Sequence, residues 1–290
     1  MRHWFLPFSV AVLLAAPAAA QNQTEQDGEQ EVVVTGVRDM DEQLRGFVDA
    51  LTDTPGGGQL SRFENEICPT VVGVPPTQKQ AIVQRMKKVA DAAGIAVGGS
   101  KCTPNVLLVV TGDKAAFIEA LQKKYSYYFG DMSNAEIRRL ARAPGPAAAW
   151  HVGGPKRTAD GVELQENRDG VAVNRTTRVG SRVSAAARPQ FAAAAVVVEQ
   201  KALDGLTTIQ LADYAAMRAY SRTDPAKLPG AAPTILKVLE TPMGEEVPVT
   251  MTEWDIGFLR SLYAAPKNIS AAAQRSQIGR GLKDELKKGE

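Results

Sequence analysis

The chain has 290 residues, 34 lysines and arginines against 32 aspartates and glutamates, and a formal net charge of +2. That balance lacks the basic excess of a dedicated nucleic-acid binder, so no nucleic-acid partner is expected. The length suffices for one large domain or two small ones with a real core.

Residues 1–20 carry the three parts of a cleavable secretory signal peptide: Arg2, an apolar run from Trp4 to Ala16, and Ala18, Ala19 and Ala20 before polar Gln21. A membrane anchor is the alternative. Against it, the run falls short of the ~20 residues that span a bilayer, carries Pro7 and is followed by Pro17. No later segment approaches about 18 uninterrupted apolar residues, so the mature chain is expected to have no transmembrane segment. It should work in the periplasm, the cell envelope or outside the cell. Processing before Gln21 leaves 270 residues, with 33 basic and 32 acidic side chains.

Residues 21–30 are polar and aperiodic. Glu31–Gly36 is a short β-prone run, and Met40, Leu44, Phe47, Val48 and Leu51 follow at helical spacing. Thr54-Pro55-Gly56-Gly57-Gly58 breaks the chain, so residues 21–58 read as a flexible N-terminal segment. A β-α-β-α pattern then begins. A Val-rich strand lies within Ile67–Val74, and a helix runs from Pro76 to about Ala93 with Ile82, Val83, Met86, Val89 and Ala90 on one face, ended by Gly94. The unbroken apolar strand Val106–Thr111 implies burial on both faces. Asp113 caps the next helix. Ser133–Glu136 is a capping box for another, which Pro144-Gly145-Pro146 stops. In the second half, Ala147–Val152 is a strand, 153–170 a Gly-rich loop or hairpin, 171–173 and 178–184 edge strands, and Phe191–Gln200 the strongest strand. Helices follow at Leu203–Tyr220, 234–240 and Thr252–Tyr263, and residues 266–290 read as a loosely attached polar tail. The expected fold is mixed α/β (α+β): a central mixed sheet with packed helices over 59–265, divisible into sub-lobes 59–143 and 144–265.

The mature chain has two cysteines, Cys68 and Cys102. In an oxidising compartment the default is a disulfide, stabilising by about 3–4 kcal/mol through loop closure. Buried thiols or a redox pair are the alternatives, and the spacing lacks the Cys-x-x-Cys geometry that tunes a reactive thiol. One histidine, His151, remains once His3 leaves with the signal peptide. No multi-histidine metal centre can be built, so no metal or cofactor is expected. Ser-His-Asp or Cys-His chemistry would run through His151 alone.

On the helix at 203–220, Leu206, Ile209, Asp213, Met217 and Tyr220 share a stripe about 90° wide. Asp213 therefore sits on an apolar face, where an unpaired carboxylate is costly. It needs donors from the backbone, a hydroxyl, or an arginine reaching in from another element. Gln210 and Tyr214 flank it. Two readings stand: a buried polar network that fixes helix to sheet, or an altered active site with Asp213, Gln210, Tyr214 and His151 as catalytic candidates.

The stretches Cys68–Gly73, Gly205–Tyr214 and Thr252–Tyr263, the last with Asp255, Leu259, Arg260 and Leu262, resemble an uncharacterised group of exported bacterial proteins related to zincin-like domains of unknown function. The resemblance spans most of residues 60–265 and implies a zincin-type architecture in the C-terminal half. In a working zincin a His-Glu-x-x-His run on such a helix binds zinc and supplies a base. Here that register holds Ile209-Gln210-Leu211-Ala212-Asp213, or Gln210 to Tyr214, so both histidines and the glutamate are missing. The scaffold is implied and the zinc chemistry denied.

Arg168, Arg175, Arg178, Arg182 and Arg188 lie in a stretch whose only acid is Asp169. On one face of alternating strands they would bind anions, Arg175, Arg178 and Arg182 foremost. Otherwise they protect a solvated edge hairpin. Tyr125, Tyr127, Tyr128 and Phe129 read as core packing at a helix end, with sugar or peptide stacking as the alternative. Glu31–Gly36 resembles the TonB box of outer-membrane receptors, a peptide that adds to a periplasmic partner as a strand, although the chain has neither the plug nor the barrel of those receptors. The leading expectation is a non-catalytic binding or structural module of the envelope with a protein or peptide partner. The competing class is a zinc-independent hydrolase using carboxylates such as Asp213 and Asp255.

Overall fold

A computed structural model describes residues 31–52, 58–175, 180–181, 184–241 and 245–289. Helix α1 (Glu31–Ala50) turns Leu44, Phe47 and Val48 into the core. Strand β1 (Pro69–Val72) leads through Gly73, where a side chain would collide with the Val110 carbonyl, into α2 (Pro76–Ala92). That helix buries Ile82, Met86, Val89 and Ala90 and stops at Gly94, at φ 73°. Strand β2 (Val106–Thr111) precedes α3 (Lys114–Lys124), whose cap Asp113 accepts from the Ala116 N–H. One 3₁₀ turn, Ser126–Phe129, joins it to α4 (Asn134–Ala141), opened by the Ser133 and Glu136 capping box. Strand β3 (Ala147–Gly153) is followed by four short strands, β4 (Arg157–Thr158), β5 (Gln165–Glu166), β6 (Ala172–Val173) and β7 (Ala187–Arg188). Then come β8 (Phe191–Glu199), α5 (Thr208–Tyr220), a 3₁₀ segment Ile235–Leu239, α6 (Glu253–Ala264) and α7 (Ala271–Gly289).

The main sheet has the order β1-β2-β8-β3, with β1, β2 and β8 parallel and β3 antiparallel to β8. Its apolar central strands are covered on both sides over their upper rows, as unbroken runs require. One face packs on residues of α1, α2, α5, α6 and α7. On the other, Ile118, Phe129, Ile137 and Ala141 lie over Val109, Ala148, Trp150 and Val197. The result is a mixed α+β fold with a central mixed sheet and packed helices, as the element pattern predicted. Cys68 and Cys102 form a disulfide, Cα atoms 5.9 Å apart, tying the start of β1 to the loop before β2. Gly98 backs it: a Cβ there would lie 2.6 Å from the Cys102 Cβ. Among the described residues no helix is long and apolar enough to cross a membrane.

Three expectations are corrected. Glu31–Gly36 is helical, the first turns of α1, so it offers no extended strand here. Its β-branched run continues into the amphipathic stretch that ends at Leu51, and burial of that face outweighs local preference. Residues 271–289 are not a loose tail. Helix α7 buries Ile278 and Leu282 fully, and the Gln274 side-chain Oε1 accepts from the Leu60 N–H at 2.8 Å. Glycines let it approach α6 closely, for a Cβ on Gly281 would lie 2.6 Å from Ser261 Oγ. Finally, strands from 59–143 and from 144–265 share one sheet, so the sub-lobe division fails and Asp39–Glu290 is one compact unit.

Candidate functional site

Asp213 is 0 % exposed on α5. Arg85 of α2 grips both its oxygens, Nε to Oδ1 at 2.6 Å and Nη2 to Oδ2 at 2.9 Å. The Thr250 hydroxyl (2.7 Å) and the Met251 N–H (2.9 Å) also donate to Oδ2. The carboxylate in turn holds the Arg85 guanidinium above its ordinary pKa. Gln210 belongs to the Thr207 capping box, and its Nε2 donates to the Pro248 carbonyl at 2.9 Å. Asp255 is equally buried. It caps α6 through Thr252 and accepts from the Thr234 hydroxyl at 2.6 Å and the Ile235 N–H at 2.8 Å. Burial pushes the Asp255 carboxyl up, against these hydrogen bonds. Residues 248–252 are thus a strap that brings Gln210, Asp213 and Asp255 into one network. Each carboxylate receives four hydrogen bonds, three on Oδ2 and one on Oδ1.

Tyr214 and His151 stand apart from that network. The Tyr214 hydroxyl accepts from Arg218 Nη1 at 2.6 Å, and burial raises its pKa. His151 Nε2 lies 2.9 Å from the Ala219 carbonyl, and its ring stacks on Phe191 with centroids 4.1 Å apart. Burial, helped by Arg222, lowers its pKa to about 3, so the ring is neutral at physiological pH and Nε2–H donates to Ala219. The narrow apolar stripe expected on α5 is corrected too: every residue from Gln210 to Tyr220 is buried, whereas Ile209, in the first turn, is 49 % exposed. Arg178 and Arg182 lie outside the described residues. Arg175 lines a shallow hollow alongside Asp160 and Glu163, and Arg188 is buried against Glu64 at 3.1 Å. Among the described residues no three His, Cys, Asp or Glu side chains are grouped to hold a metal ion.

A different site emerges from the strand register. Thr70, Leu107, Ala195 and Trp150 form one row across the four strands. In the row above, Val109, Val197 and Ala148 are buried under the helices. In the row below, Ala193 faces Val152, and Asn105 precedes Leu107 by two. Helix α3 ends at Lys124, and the next turn drops Phe129 flat onto Trp150, centroids 4.9 Å apart, so the lower rows keep an open hollow of about 200 Å³. Leu121 and Tyr128 make its upper lip, and Pro104 and Asn105 line it from the loop before β2. The Asn105 side chain fixes that loop, accepting from Cys68 N–H at 2.7 Å and donating to the Glu66 carbonyl at 3.0 Å.

The tyrosines read as core are largely on the surface, which corrects that expectation. Only Phe129 is buried, while Tyr125, Tyr127 and Tyr128 are 38, 66 and 47 % exposed. A 3₁₀ turn repeats every three residues, so placing Phe129 inward turns its two predecessors outward. The signal for the hollow was present in β8, where Ala192–Ala195 gives way to Val196–Val198. On the face with the hollow, Val197 lies under the helices while Ala193 and Ala195 leave the space below it, and Ala194, Val196 and Val198 belong to the opposite, helix-covered face. No family model matches the chain, and neither a curated protein nor a solved structure matches it.

Proposed function

We propose that this is an exported, non-catalytic binding module that takes an apolar group of its ligand into the tyrosine-lipped hollow, on a degenerate zincin-like scaffold. The observation that carries this reading is the lining: apart from Tyr128 the hollow has no ionisable side chain to act as acid, base or nucleophile. The carboxylates of the hydrolase alternative, Asp213 and Asp255, are spent on holding helices together. In the register that zincins use for zinc, Gln210 caps a helix and Asp213 grips an arginine. The signal-like residues 1–20 and the Cys68–Cys102 bond support export.

Titration of isotope-labelled protein with indole tests the reading. The expected result is a saturable shift of the Trp150 indole N–H and of the Ala193–Ala195 amides, with the Asp213 amide unmoved. No shift at saturating indole removes the hollow as a binding site. Protein recovered from its native cells should begin at Gln21, and an unprocessed N-terminus would refute export.

A further inference from the structure

Resting on that reading, we infer that the hollow is an anchor pocket for a protein partner, taking one aromatic side chain from a segment with acidic residues on either side. Size comes first. About 200 Å³ is less than the ~300–1,000 Å³ of sites that enclose a whole small ligand. At roughly 30 Å³ per water-sized group it holds about seven such groups, which is a phenyl or phenol side chain. The floor of Leu107, Ala193 and Ala195 is apolar and suits a ring, not a charge.

The rim points to a macromolecule. Tyr127 and Tyr128 lie 4.5 Å apart by ring centroid, with Tyr125 about 6 Å from each, a continuous exposed aromatic surface that a small ligand filling the hollow would leave unused. Rigid aromatic area of this kind is enriched where protein partners bury their anchors. Charge gives the flanks. Lys123 and Lys124 close α3 beside the tyrosines, both exposed, and Lys124 Nζ sits 5.2 Å from the Tyr125 ring centroid. They complement the helix C-terminus. Exposed Asp131 lies on this side and exposed Glu66 beside Asn105, with exposed Lys101 next to Cys102, so three lysines face two acids and the rim keeps a basic excess that favours an acidic segment. The loop carrying Pro104 and Asn105 is pinned by the disulfide, so one wall of the pocket is formed before binding.

Calorimetry with four probes tests this: the capped peptide Asp-Glu-Phe-Glu-Asp, its alanine-centred analogue, Lys-Lys-Phe-Lys-Lys, and N-acetylphenylalanine amide. The acidic phenylalanine peptide should bind more than about tenfold tighter than each of the others, the scale of losing an interface anchor. Ala193→Leu, which fills the hollow, should abolish its binding. A joint Lys123→Glu and Lys124→Glu change should weaken it and relieve the discrimination against the lysine peptide. If Ala193→Leu fails to fold, Tyr128→Ala gives the same readout at the lip. Equal affinity for the acidic and basic peptides overturns the acidic flanks. Binding of the free amide as tight as the peptide overturns the protein partner and leaves the binding module standing. If no probe binds or moves the Trp150 indole signal, both are refuted.

Discussion

Arg85 and Asp213 are unequal partners, and their difference in burial has a measurable sign. The Arg85 side chain is 32 % exposed and Asp213 is wholly enclosed. Arg85→Ala strands a buried carboxylate with only Thr250 and Met251 as donors, and such a loss costs about 3–5 kcal/mol. Asp213→Ala leaves an arginine that can reach water and two unsatisfied neutral donors, for about 1–3 kcal/mol. Urea unfolding should therefore rank Arg85→Ala below Asp213→Ala. The reverse order, or an Asp213→Ala midpoint equal to wild type, contradicts a structural role for the pair. His151 supplies a pH dependence. Its folded pKa of about 3 lies below the unfolded value near 6.5, so its contribution is complete above about pH 6.5 and is lost as pH falls towards 3. The slope is at most ~1.36 kcal/mol per pH unit from this one ring. Asp255 acts with the opposite sign: its raised pKa means a contribution lost as pH rises through the folded value. Denaturant unfolding between pH 7 and about 4.5 should show a shallower fall for His151→Gln than for wild type, and parallel curves would reject the assignment.

Helix α7 shows how a polar sequence conceals a packed element. Ile278 and Leu282, one turn apart, are its fully buried large apolar side chains, and Gln274 completes the same face through a hydrogen bond. Ile278→Ala should cost about 2–5 kcal/mol if this face belongs to the core. A thermal midpoint unchanged by that substitution would mean that the helix is dispensable. The most legible features were the helix ends marked by Asp113, the Ser133/Glu136 box and Gly94, because these act on backbone within one turn. Burial of Asp213 was legible in outcome but not in cause: the apolar stripe pointed to it, whereas α5 is buried on every side from Gln210 to Tyr220. The partner of Asp213 was not legible: Arg85 comes from a helix 128 positions away in sequence, and only the fold sets them side by side. Helix α1 misled because Val32-Val33-Val34 favours a strand locally. The hollow was hidden because it arises from cover that stops short, and only the alanines of β8 recorded it.

At the scale of the whole molecule, one sheet serves two purposes. Its upper rows are sealed between helical layers, and its lower rows, beside the Cys68–Cys102 bond, line an open hollow, the site proposed to take a ligand. The strand order also has a consequence in time. Strands β1 and β2, with α2 between them, are neighbours in the chain, and their disulfide spans a sequence separation of only 34. Strand β2 pairs on its other side with β8, Val106 meeting Ala194 across the whole α3–β7 excursion. Short loops close before long ones, so the oxidised β1-α2-β2 unit assembles first and waits for β8. During that wait the second edge of β2 is an unpaired, almost wholly apolar strand, the kind of surface that aggregates unless a chaperone holds it. Refolding is therefore expected to lose more protein to aggregation the more slowly that distant strand arrives.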